Sequence, residues 1–406
     1  MADGKPTSVL WGWSGYRVAS CRREERRGQP WCVIELVLDH EVPRRCSGCG
    51  SRVGAVHDQA QRCIRDLPIF DAAVELQMPR LRLACPDCGP RLEQLDWLDP
   101  HSRVTRRLAL SVARLCAATS VRHAAEWHRI DWKTAKSIDF RHLEATLGPP
   151  DLDGVRLLAM DEFAIQKGHR YATVIVDPER KRVLWVGRGR SRADILPFFE
   201  LLGPRRCDAI QAVAMDMNSA FDLEVKAHCP NAEVVYDLFH VVAKYGREVI
   251  DRVRVDEANR LRQDAPARRI VKTSRWLLLR NRNSVPSHQV PRLDELLAAN
   301  HALMTVYVMK DALKALWQCR HEDDARRRWQ DWLSQAIQSG LPPLQAFARR
   351  LAPYVQGIVA HCRWPMGTNL VEGINNRIKV IKRVAYGFRD DAYFFLKIRA
   401  AFPGLG

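Results

Sequence analysis

The chain lacks any long apolar segment. In 406 residues, no run approaches the roughly 18 uncharged apolar residues that are needed to cross a bilayer. The first twenty residues also lack the apolar core of a signal peptide. We therefore expect a soluble, cytoplasmic protein rather than a membrane or secreted one.

Cysteine is too sparse for a disulfide scaffold. Twelve cysteines in 406 residues is about 3%, below the density of small disulfide-stabilised folds. Four of the twelve form two Cys-x2-Cys pairs, Cys46–Cys49 and Cys85–Cys88. This spacing indicates a metal site rather than cystines.

Acidic residues are scarce relative to basic ones. Lys and Arg number 64 against 47 Asp and Glu, a net charge of +17. The 47% hydrophobic and 27% charged residues are ordinary for a globular protein. The positive excess predicts a polyanionic partner, with nucleic acid as the first candidate. The expected place within the cytoplasm is therefore the nucleoid.

Composition and periodicity divide the chain into five regions without repeats or low-complexity tracts. At roughly 150 residues per domain, the length suits about two to four folding units. The predicted regions are a zinc ribbon (1–100), a helix-turn-helix (101–150), the first part of an RNase H-like core (151–245), an α-helical insertion (246–364) and the C-terminal part of the core (365–406). The predicted fold class is multidomain α/β, with a mixed sheet interrupted by an all-α insertion.

The order of elements after residue 150 is typical of an RNase H-like core. The predicted elements are strands at 155–159, 171–176 and 182–186, a helix at 193–202, a strand at 209–215, a helix, and a strand at 232–236. Asp177–Arg180 is a turn signal that should join the second and third strands as a hairpin. Helical patterns then continue for more than a hundred residues.

The first 100 residues combine the cysteine pairs with β-like runs at Trp31–Leu38 and Ala73–Met78. The pairs are 35 residues apart, and a glycine follows each pair. Four thiolates around tetrahedral Zn²⁺ would supply roughly 10 kcal/mol or more of folding free energy to a region with little core. We expect a structural Zn²⁺ bound by Cys46, Cys49, Cys85 and Cys88, with His57 and Cys63 as alternative ligands.

Residues 101–147 predict three short helices. An apolar repeat at helical spacing marks the first, Thr119-Ser120 starts the second, and Trp132–Leu143 forms the third. Bases on the third helix resemble those of a helix-turn-helix that enters a major groove. The alternative is an ordinary helical trio with a solvated charged face. The predicted DNA contacts here are Lys133, Lys136 and Arg141.

Carboxylates follow two of the predicted strands. Asp161 follows the first and Asp216 the fourth, and these strands are neighbours in an RNase H-like sheet. Two facing carboxylates repel by about 4 kcal/mol at 4 Å and an effective dielectric of ~20. A cation that prefers oxygen ligands, Mg²⁺ or Mn²⁺, would relieve this repulsion.

A third acid is expected on the final helix, which begins near Asn369. An apolar stripe at 371, 374, 378, 381 and 385 should pack on the core. Glu372 lies on a neighbouring stripe that continues with bases, so it could hold a cation while the bases follow DNA phosphates. The predicted DNA contacts are Asn376, Lys379, Lys382 and Arg383. The structural alternative is that such acids only cap helices or favour a helix dipole.

At these residues the sequence resembles the ISL-three family of bacterial insertion-sequence transposases. The matching stretches are Asp161–Asp177, Asp216-Met-Asn, Asp237-Leu-Phe-His240, Ser274–Asn281, Asn369–Lys379, Arg383–Phe388 and Arg65-Asp-Leu-Pro68. The resemblance implies an RNase H-like DDE transposase with Asp161, Asp216 and Glu372 as its triad. It also implies that the zinc-ribbon and helix-turn-helix regions recognise terminal inverted repeats.

Asp237 and His240 match an acid-x2-His that similar transposases carry. The pair would position the scissile strand or support the metal site. The alternative is that His240 is an ordinary core histidine.

The helical insertion concentrates positive charge. Residues 241–364 hold 22 Lys and Arg against 12 Asp and Glu. We expect an arm that holds DNA through Arg268, Arg269 and Arg275. For Trp276, we expect a place in the core in preference to stacking on a base.

The sequence therefore predicts a transposase that binds double-stranded DNA at its element's ends and at the target. It would catalyse magnesium-dependent strand cleavage and strand transfer with two ions per active site. A two-ended substrate favours a homodimer or a higher oligomer. Two alternatives remain: an RNase H-like nuclease or resolvase that cuts without joining, and a non-catalytic DNA-binding regulator.

Overall fold

A computed structural model describes residues 12–166, 168, 170–366 and 369–404 of the chain. The chain forms two compact units. The first holds the described residues up to Gly148 together with Ile381–Leu396, and the second holds Pro149–Val380 and the described residues from Lys397 onward. No helix in the described part of the chain is long and apolar enough to cross a membrane.

The first unit contains a five-stranded sheet. Its strands are β1 (Tyr16–Arg26), β2 (Gln29–Leu38), β3 (Val56–Ile69), β4 (Ala72–Cys85) and β5 (Gly89–Leu92). They lie in the order β1-β2-β4-β3, with β5 paired to β4. One face is covered by a core that includes Trp13, Tyr16, Leu36 and Leu76. The two predicted β-like runs are thus confirmed as parts of β2 and β4.

Three helices follow the sheet in the first unit. They are α1 (Arg106–Ala118), α2 (Val121–His128) and α3 (Trp132–Leu147). The side chains of Thr105, Ser120 and Asp131 cap them by accepting hydrogen bonds from backbone amides of their first turns. The predicted trio is confirmed, and its third helix extends one turn beyond the predicted end.

Arg65 and Asp66 join the sheet to these helices. The buried Asp66 carboxylate accepts hydrogen bonds from Trp13 Nε1 (2.8 Å), Thr105 Oγ1 (2.6 Å) and Arg107 Nε (2.7 Å). The Arg65 guanidinium donates to backbone carbonyl groups of β4 and of the turn between α2 and α3. The Arg65-Asp-Leu-Pro68 motif therefore has a structural role within the first unit.

The second unit contains a mixed sheet of five strands. They are β6 (Leu157–Gln166), β7 (Arg170–Asp177), β8 (Arg182–Arg188), β9 (Ala212–Met215) and β10 (Glu233–Tyr236). The order is β10-β9-β6-β7-β8, with β6, β7 and β8 antiparallel and β9 and β10 parallel to β6. This is the predicted RNase H-like arrangement: three consecutive strands, then two that return beside the first.

The rest of the second unit is helical. Its helices are α4 (Arg192–Leu202), α5 (Pro204–Cys207), α6 (Ser219–His228), α7 (Leu238–Tyr245), a π-helical turn (Gly246–Ile250), α8 (Asp251–Arg260), α9 (Ala265–Thr273), α10 (Arg275–Leu279), α11 (Val290–Ala299), α12 (His301–Ala315), α13 (Glu322–Gln338), α14 (Pro342–Leu351) and α15 (Val355–Val359). One apolar core joins the sheet to this all-α insertion, and it includes Met215, Tyr236, Trp332 and Phe347.

The last two helices contribute residues to both units. They are α16 (Asn369–Val384) and α17 (Asp391–Ala401). Val371, Ile374 and Ile378 are buried, as the predicted apolar stripe required. The last two positions of the predicted stripe, Ile381 and Ala385, are only half-buried, and α16 ends at Val384, just before Ala385.

Two local expectations were wrong. Asp161 does not follow the first strand: β6 continues to Gln166 because its pairing with β7 extends to Gln166. Trp276 is not in the core, because its side chain is 66% exposed. The neighbouring Leu277 and Leu278 fill the interior instead, and the Arg275 guanidinium lies 5.0 Å from the Trp276 ring.

Candidate active site

Three carboxylates occupy the same level of three adjacent parallel strands. Ala159 and Ala214 are the last pair that joins β6 to β9. Asp161 lies two residues beyond Ala159, and Asp216 lies two residues beyond Ala214. Asp237 directly follows Tyr236, which pairs with Met215 on β9, so it stands opposite Asp216. The sheet register therefore gathers acids that are far apart in sequence.

His240 lies among these acids. Its Nδ1 is 3.3 Å from Asp216 Oδ2, and its Nε2 is 3.8 Å from Asp237 Oδ2. Asp237 caps α7 by accepting a hydrogen bond from the Phe239 amide, which places His240 in the first turn of this helix. The sequence pair Asp237-x2-His240 is thus brought to Asp216.

The electrostatics of the cluster are strongly perturbed. Burial raises the pKa of Asp161 to about 6, and repulsion from Asp216 contributes in the same direction. The hydrogen bond with Asp216 raises the pKa of His240 to about 9, so the imidazole is protonated at neutral pH. Burial alone would raise the pKa of Asp216, but the His240 hydrogen bond and charge bring it below the usual value. Perturbed groups clustered in this way are typical of functional sites.

The final helix reaches this cluster through Asn375, which sequence reasoning missed. The Asn375 side chain is 7% exposed, and its Nδ2 donates a 2.6 Å hydrogen bond to Asp161 Oδ2. The signal was present: with residues 371, 374 and 378, position 375 completes the spacing of a buried helix face, and a polar residue there needs a buried partner.

Glu372 lies one helical turn before Asn375 and is exposed. Residues three apart on a helix are neighbours on its surface, so Glu372 shares the side of α16 that meets Asp161. The structure does not bring Glu372 into a cluster with the two aspartates. Among the described residues, the four cysteines form the one group of three or more potential metal ligands in mutual reach.

An open cleft of about 400 Å³ leads to Asp161 and Asp216. Arg190, a second residue that sequence reasoning missed, lines this cleft, and its Nη1 lies 2.5 Å from Glu162 Oε1. Its guanidinium also stacks over the Tyr171 ring at 4.1 Å. The cleft therefore offers both carboxylates and a guanidinium, and the latter suits a phosphate group.

The donor atoms around Asp161 suit a hard divalent cation. Asn375 Oδ1 and Glu162 Oε2 are buried without a hydrogen-bond partner. Buried oxygens of this kind are costly unless a partner is supplied. Asn375 is hydrogen-bonded to Asp161, and oxygen atoms of this kind are the ligands that Mg²⁺ and Mn²⁺ prefer.

The predicted metal cluster of the first unit is confirmed. The sulfur atoms of Cys46, Cys49, Cys85 and Cys88 all lie within 4.8 Å of one another. Hydrogen bonds from Ser51 lower the pKa of Cys49 to about 6, whereas the hydrogen bond with Cys49 raises the pKa of Cys88 to about 12. Four thiols at this separation cannot all ionise unless a cation offsets the repulsion between the thiolates. A bound Zn²⁺ would do this. The alternative ligands are not in this cluster: His57 contacts Asp58, and Cys63 is exposed.

The predicted DNA contacts on α3 have different surroundings. Lys133 and Arg141 are exposed, and with Ser137 they form one face at a spacing of four residues. Lys136 lies on another side, where its Nζ binds Asp390 Oδ2 at 2.7 Å and faces the Tyr393 ring. The exposed face of α3 is thus basic, while Lys136 contacts the C-terminal segment of the first unit.

The predicted contacts of the insertion and of the final helix also differ in exposure. Arg275 is paired with Asp251 at 2.8 Å, and Arg268 is half-buried. Lys382 is half-buried as well. The other four predicted contacts are exposed: Arg269, Asn376, Lys379 and Arg383. The structure therefore leaves four of these seven side chains exposed, and Lys379 Nζ donates to Asn376 Oδ1 at 3.1 Å.

Comparisons with known families match three parts of the chain. A model described as "Transposase" matches residues 158–398. A model described as "Helix-turn-helix domain of transposase family ISL3" matches residues 93–142. A third, for the zinc-finger of the transposases of IS204, IS1001, IS1096 and IS1165, matches residues 43–88. The three matches follow the order of the elements described above.

Curated relatives agree with these matches. The chain is 53% identical over 406 residues to the transposase for insertion sequence element IS1001 of Bordetella parapertussis, covering 100% of this chain and 99% of that relative. It is 28% identical over 374 residues to the transposase for insertion sequence element IS1557 of Mycobacterium tuberculosis, covering 86% of this chain and 83% of the relative. With a zinc ribbon, a helix-turn-helix and an RNase H-like core in the same chain, the protein belongs to the ISL3 (ISL-three) family of transposases.

Proposed function

We propose that this protein is the transposase of an insertion sequence. It binds the terminal inverted repeats of its element and catalyses divalent-metal-dependent cleavage and transfer of DNA strands. The observation that carries the proposal is the common level of Asp161, Asp216 and Asp237 on three parallel strands, together with the Asn375–Asp161 hydrogen bond. This bond supports the arrival of α16, and with it Glu372, at the carboxylates.

Asp161, Asp216 and Glu372 are the proposed ligands of Mg²⁺ or Mn²⁺, two ions per active site, with Asn375 as an additional oxygen donor. When bound, such ions activate a water or 3′-hydroxyl nucleophile and stabilise the departing oxyanion. The orphaned Asn375 Oδ1 supports this assignment because it is a buried acceptor beside Asp161. Glu372 would complete the set when DNA occupies the cleft.

The remaining residues of the cleft have positioning roles in this proposal. Protonated His240 offsets the negative charge of Asp216 and Asp237 before ions and DNA arrive. Arg190 can exchange its contact with Glu162 for a phosphate oxygen of the scissile strand. Lys379 and Arg383, exposed on α16, follow the neighbouring phosphates.

End recognition is assigned to the first unit. The face of α3 that carries Lys133, Ser137 and Arg141 is exposed and basic, as expected for a helix that enters the major groove. The zinc ribbon supports this helix through Arg65 and Asp66. Because an element has two ends, the proposed active assembly is a homodimer or a higher oligomer on paired ends and target DNA.

The test is incubation of the protein with labelled end DNA and Mg²⁺, with nicks mapped on both strands. We expect cleavage at the element boundary and joining of the new 3′ end to target DNA. Asp216→Asn should abolish both reactions while binding to end DNA persists. The matched control is Asp208→Asn, because Asp208 is an exposed aspartate at the C-terminal end of α5, away from the cleft residues.

The same assay separates the two rival functions. A nuclease or resolvase would cut paired ends without strand transfer. A non-catalytic regulator would bind end DNA but show no metal-dependent nick, and Asp216→Asn would then behave like the unaltered protein. Either result would overturn the proposal.

A further inference from the structure

The tip of the β3–β4 hairpin carries an aromatic side chain without an intramolecular role. Strands β3 and β4 are joined by the two residues Phe70 and Asp71. The side chain of Phe70 is 99% exposed, more than any other large hydrophobic residue described for this protein. An isolated exposed apolar residue is unremarkable by itself, so a second observation is needed.

That observation is the backbone conformation of Phe70. Its φ is +52°, in the left-handed region that residues other than glycine rarely adopt. Two-residue hairpin turns that need this conformation at their first position favour glycine. Phe70 thus satisfies neither the turn nor a hydrophobic core. Strained, exposed residues of this kind concentrate at ligand-contacting sites.

The neighbouring contacts hold the hairpin tip firmly. Arg23 of β1 binds Asp71 Oδ2 at 2.7 Å. Arg129 donates to the backbone carbonyl oxygens of Asp71 (3.0 Å) and Pro30 (2.9 Å). The tip is therefore anchored to two other segments of the first unit, and Phe70 projects from a fixed base.

Arg129 also defines what lies beside the tip. It belongs to the three-residue turn between α2 and α3, so the hairpin is attached directly before the start of the proposed recognition helix. The first residues of such a helix are those that contact base edges. Trp132 and Lys133, which open α3, are both exposed. Phe70 consequently stands next to the end of α3 that would face base pairs.

The charge around the tip favours DNA as the occupant. The Arg129 guanidinium is bound to carbonyl groups rather than to a carboxylate, so its charge is not neutralised there. Arg27, at the tip of the adjacent β1–β2 hairpin, is exposed, as is Lys133. The one acidic side chain of the turn, Asp71, is paired with Arg23, so an exposed apolar side chain and basic side chains lie on the same end of the first unit. This combination matches duplex DNA, whose phosphates flank stacked, apolar base faces.

We propose that Phe70 is a DNA-contacting residue that stacks on, or wedges into, a base step beside the base pairs read by α3. The zinc ribbon then does more than support the helix-turn-helix: it supplies an uncharged contact of its own. This inference rests on the proposed end binding and extends it to a second contact element.

The test compares full-length Phe70→Ala, Phe70→Gly and Phe70→Trp by fluorescence anisotropy with labelled end DNA and with random duplex. Phe70→Ala and Phe70→Gly should weaken end binding roughly 10-fold to 100-fold, the range expected when an aromatic–base contact is lost. Phe70→Trp should retain affinity, because it keeps an aromatic ring at this position. The slope of log affinity against log salt should not change, because no phosphate contact is removed.

Stability distinguishes contact loss from misfolding. Phe70→Gly should melt no lower than the unaltered protein, since glycine adopts a positive φ without strain. Val56→Ala is the matched control: Val56 is 50% exposed at the other end of β3, and its loss should leave binding unchanged.

Three results would overturn the inference. Equal end binding by the unaltered protein and both Phe70→Ala and Phe70→Gly would remove Phe70 from the DNA interface. Loss of binding accompanied by dissociation in sedimentation would assign Phe70 to contact with a second copy of the chain. A lower melting temperature for Phe70→Gly would indicate a structural role. The proposed function fails separately, if the unaltered protein does not prefer end DNA over random duplex.

Discussion

Replacing Asn375 with alanine tests how the final helix controls the carboxylates. The change removes the amide that donates to Asp161 Oδ2 at 2.6 Å. A hydrogen bond to a charged group contributes about 1.5–3 kcal/mol. The pKa of Asp161 is already about 6 because the carboxyl is buried. One pKa unit corresponds to about 1.4 kcal/mol. The substitution should therefore raise the pKa of Asp161 further, by roughly one to two pH units.

The assay is the initial rate of metal-dependent nicking of end DNA between pH 5.5 and pH 9. As a proposed ligand of the cation, Asp161 must be ionised, so the acid limb of the profile should move to higher pH by the same one to two pH units. At pH 7, the rate should fall roughly 2-fold to 10-fold and the Mg²⁺ concentration for half-maximal rate should rise, because protons and the cation compete for one carboxylate. At pH 9, the part of the loss that comes from protonation of Asp161 should disappear, and any loss that remains measures the oxygen donor that Asn375 is proposed to supply to the cation.

The matched control is Asn231→Ala. Asn231 donates its side-chain amide to the backbone carbonyl of Asp208 at 3.0 Å on the surface of the same unit. Its replacement removes an amide of equal size without touching the carboxylates, so the pH profile should stay in place. If the Asn375→Ala profile superimposed on that of the unaltered protein, the reasoning that links α16 to the ionisation of Asp161 would be refuted.

Three further predictions concern stability. Cys85→Ser, or removal of zinc by a chelator, should increase hydrogen exchange in β4 and β5 while β6 and β9 stay protected; equal exchange in both units would contradict a local role for the metal. Asp66→Asn should lower the unfolding free energy of the first unit by about 2–4 kcal/mol at pH 7, because the amide keeps one acceptor oxygen in place of two and removes the charge that faces Arg107. Hydrogen bonds outweigh burial and hold the pKa of Asp66 below its usual value, so this stabilisation is present above about pH 4 and lost as pH falls further; a mutant deficit that did not shrink as pH fell below about 4 would count against it. Burial lowers the pKa of Lys310 to about 8, so denaturant unfolding should show stability rising between pH 8 and pH 10.5, by at most roughly 3 kcal/mol, and Lys310→Met should abolish this slope.

Much of the catalytic unit could be predicted because strands and their order leave strong local signals. Apolar runs separated by turn residues indicated all five strands of the second sheet, and the hairpin of β7 and β8 formed where Asp177–Arg180 predicted it. The level of Asp161 and Asp216 followed from neighbouring parallel strands. The pKa values of the cluster could not be predicted from the sequence, because they depend on burial and on the contact between Asp216 and His240. Only the folded chain brings these residues together.

The errors also have physical causes. The end of β6 depends on which partner strand continues: pairing with β9 stops at Ala159, whereas pairing with β7 goes on past Asp161. Trp276 was expected in the core, but the short helix α10 can bury only one side, and Leu277 and Leu278 occupy it. Asn375 was passed over because an amide does not titrate, although its position on a buried helix face was readable.

The last forty residues complete both compact units at once. In the second unit they supply Glu372 and Asn375, and in the first they supply Asp390, which binds Lys136, and Tyr393, which hydrogen-bonds Asp139 at 2.5 Å. During synthesis, neither unit can therefore form all its contacts before these last helices have left the ribosome. A frameshift or stop codon late in the reading frame would therefore remove contacts from both units together.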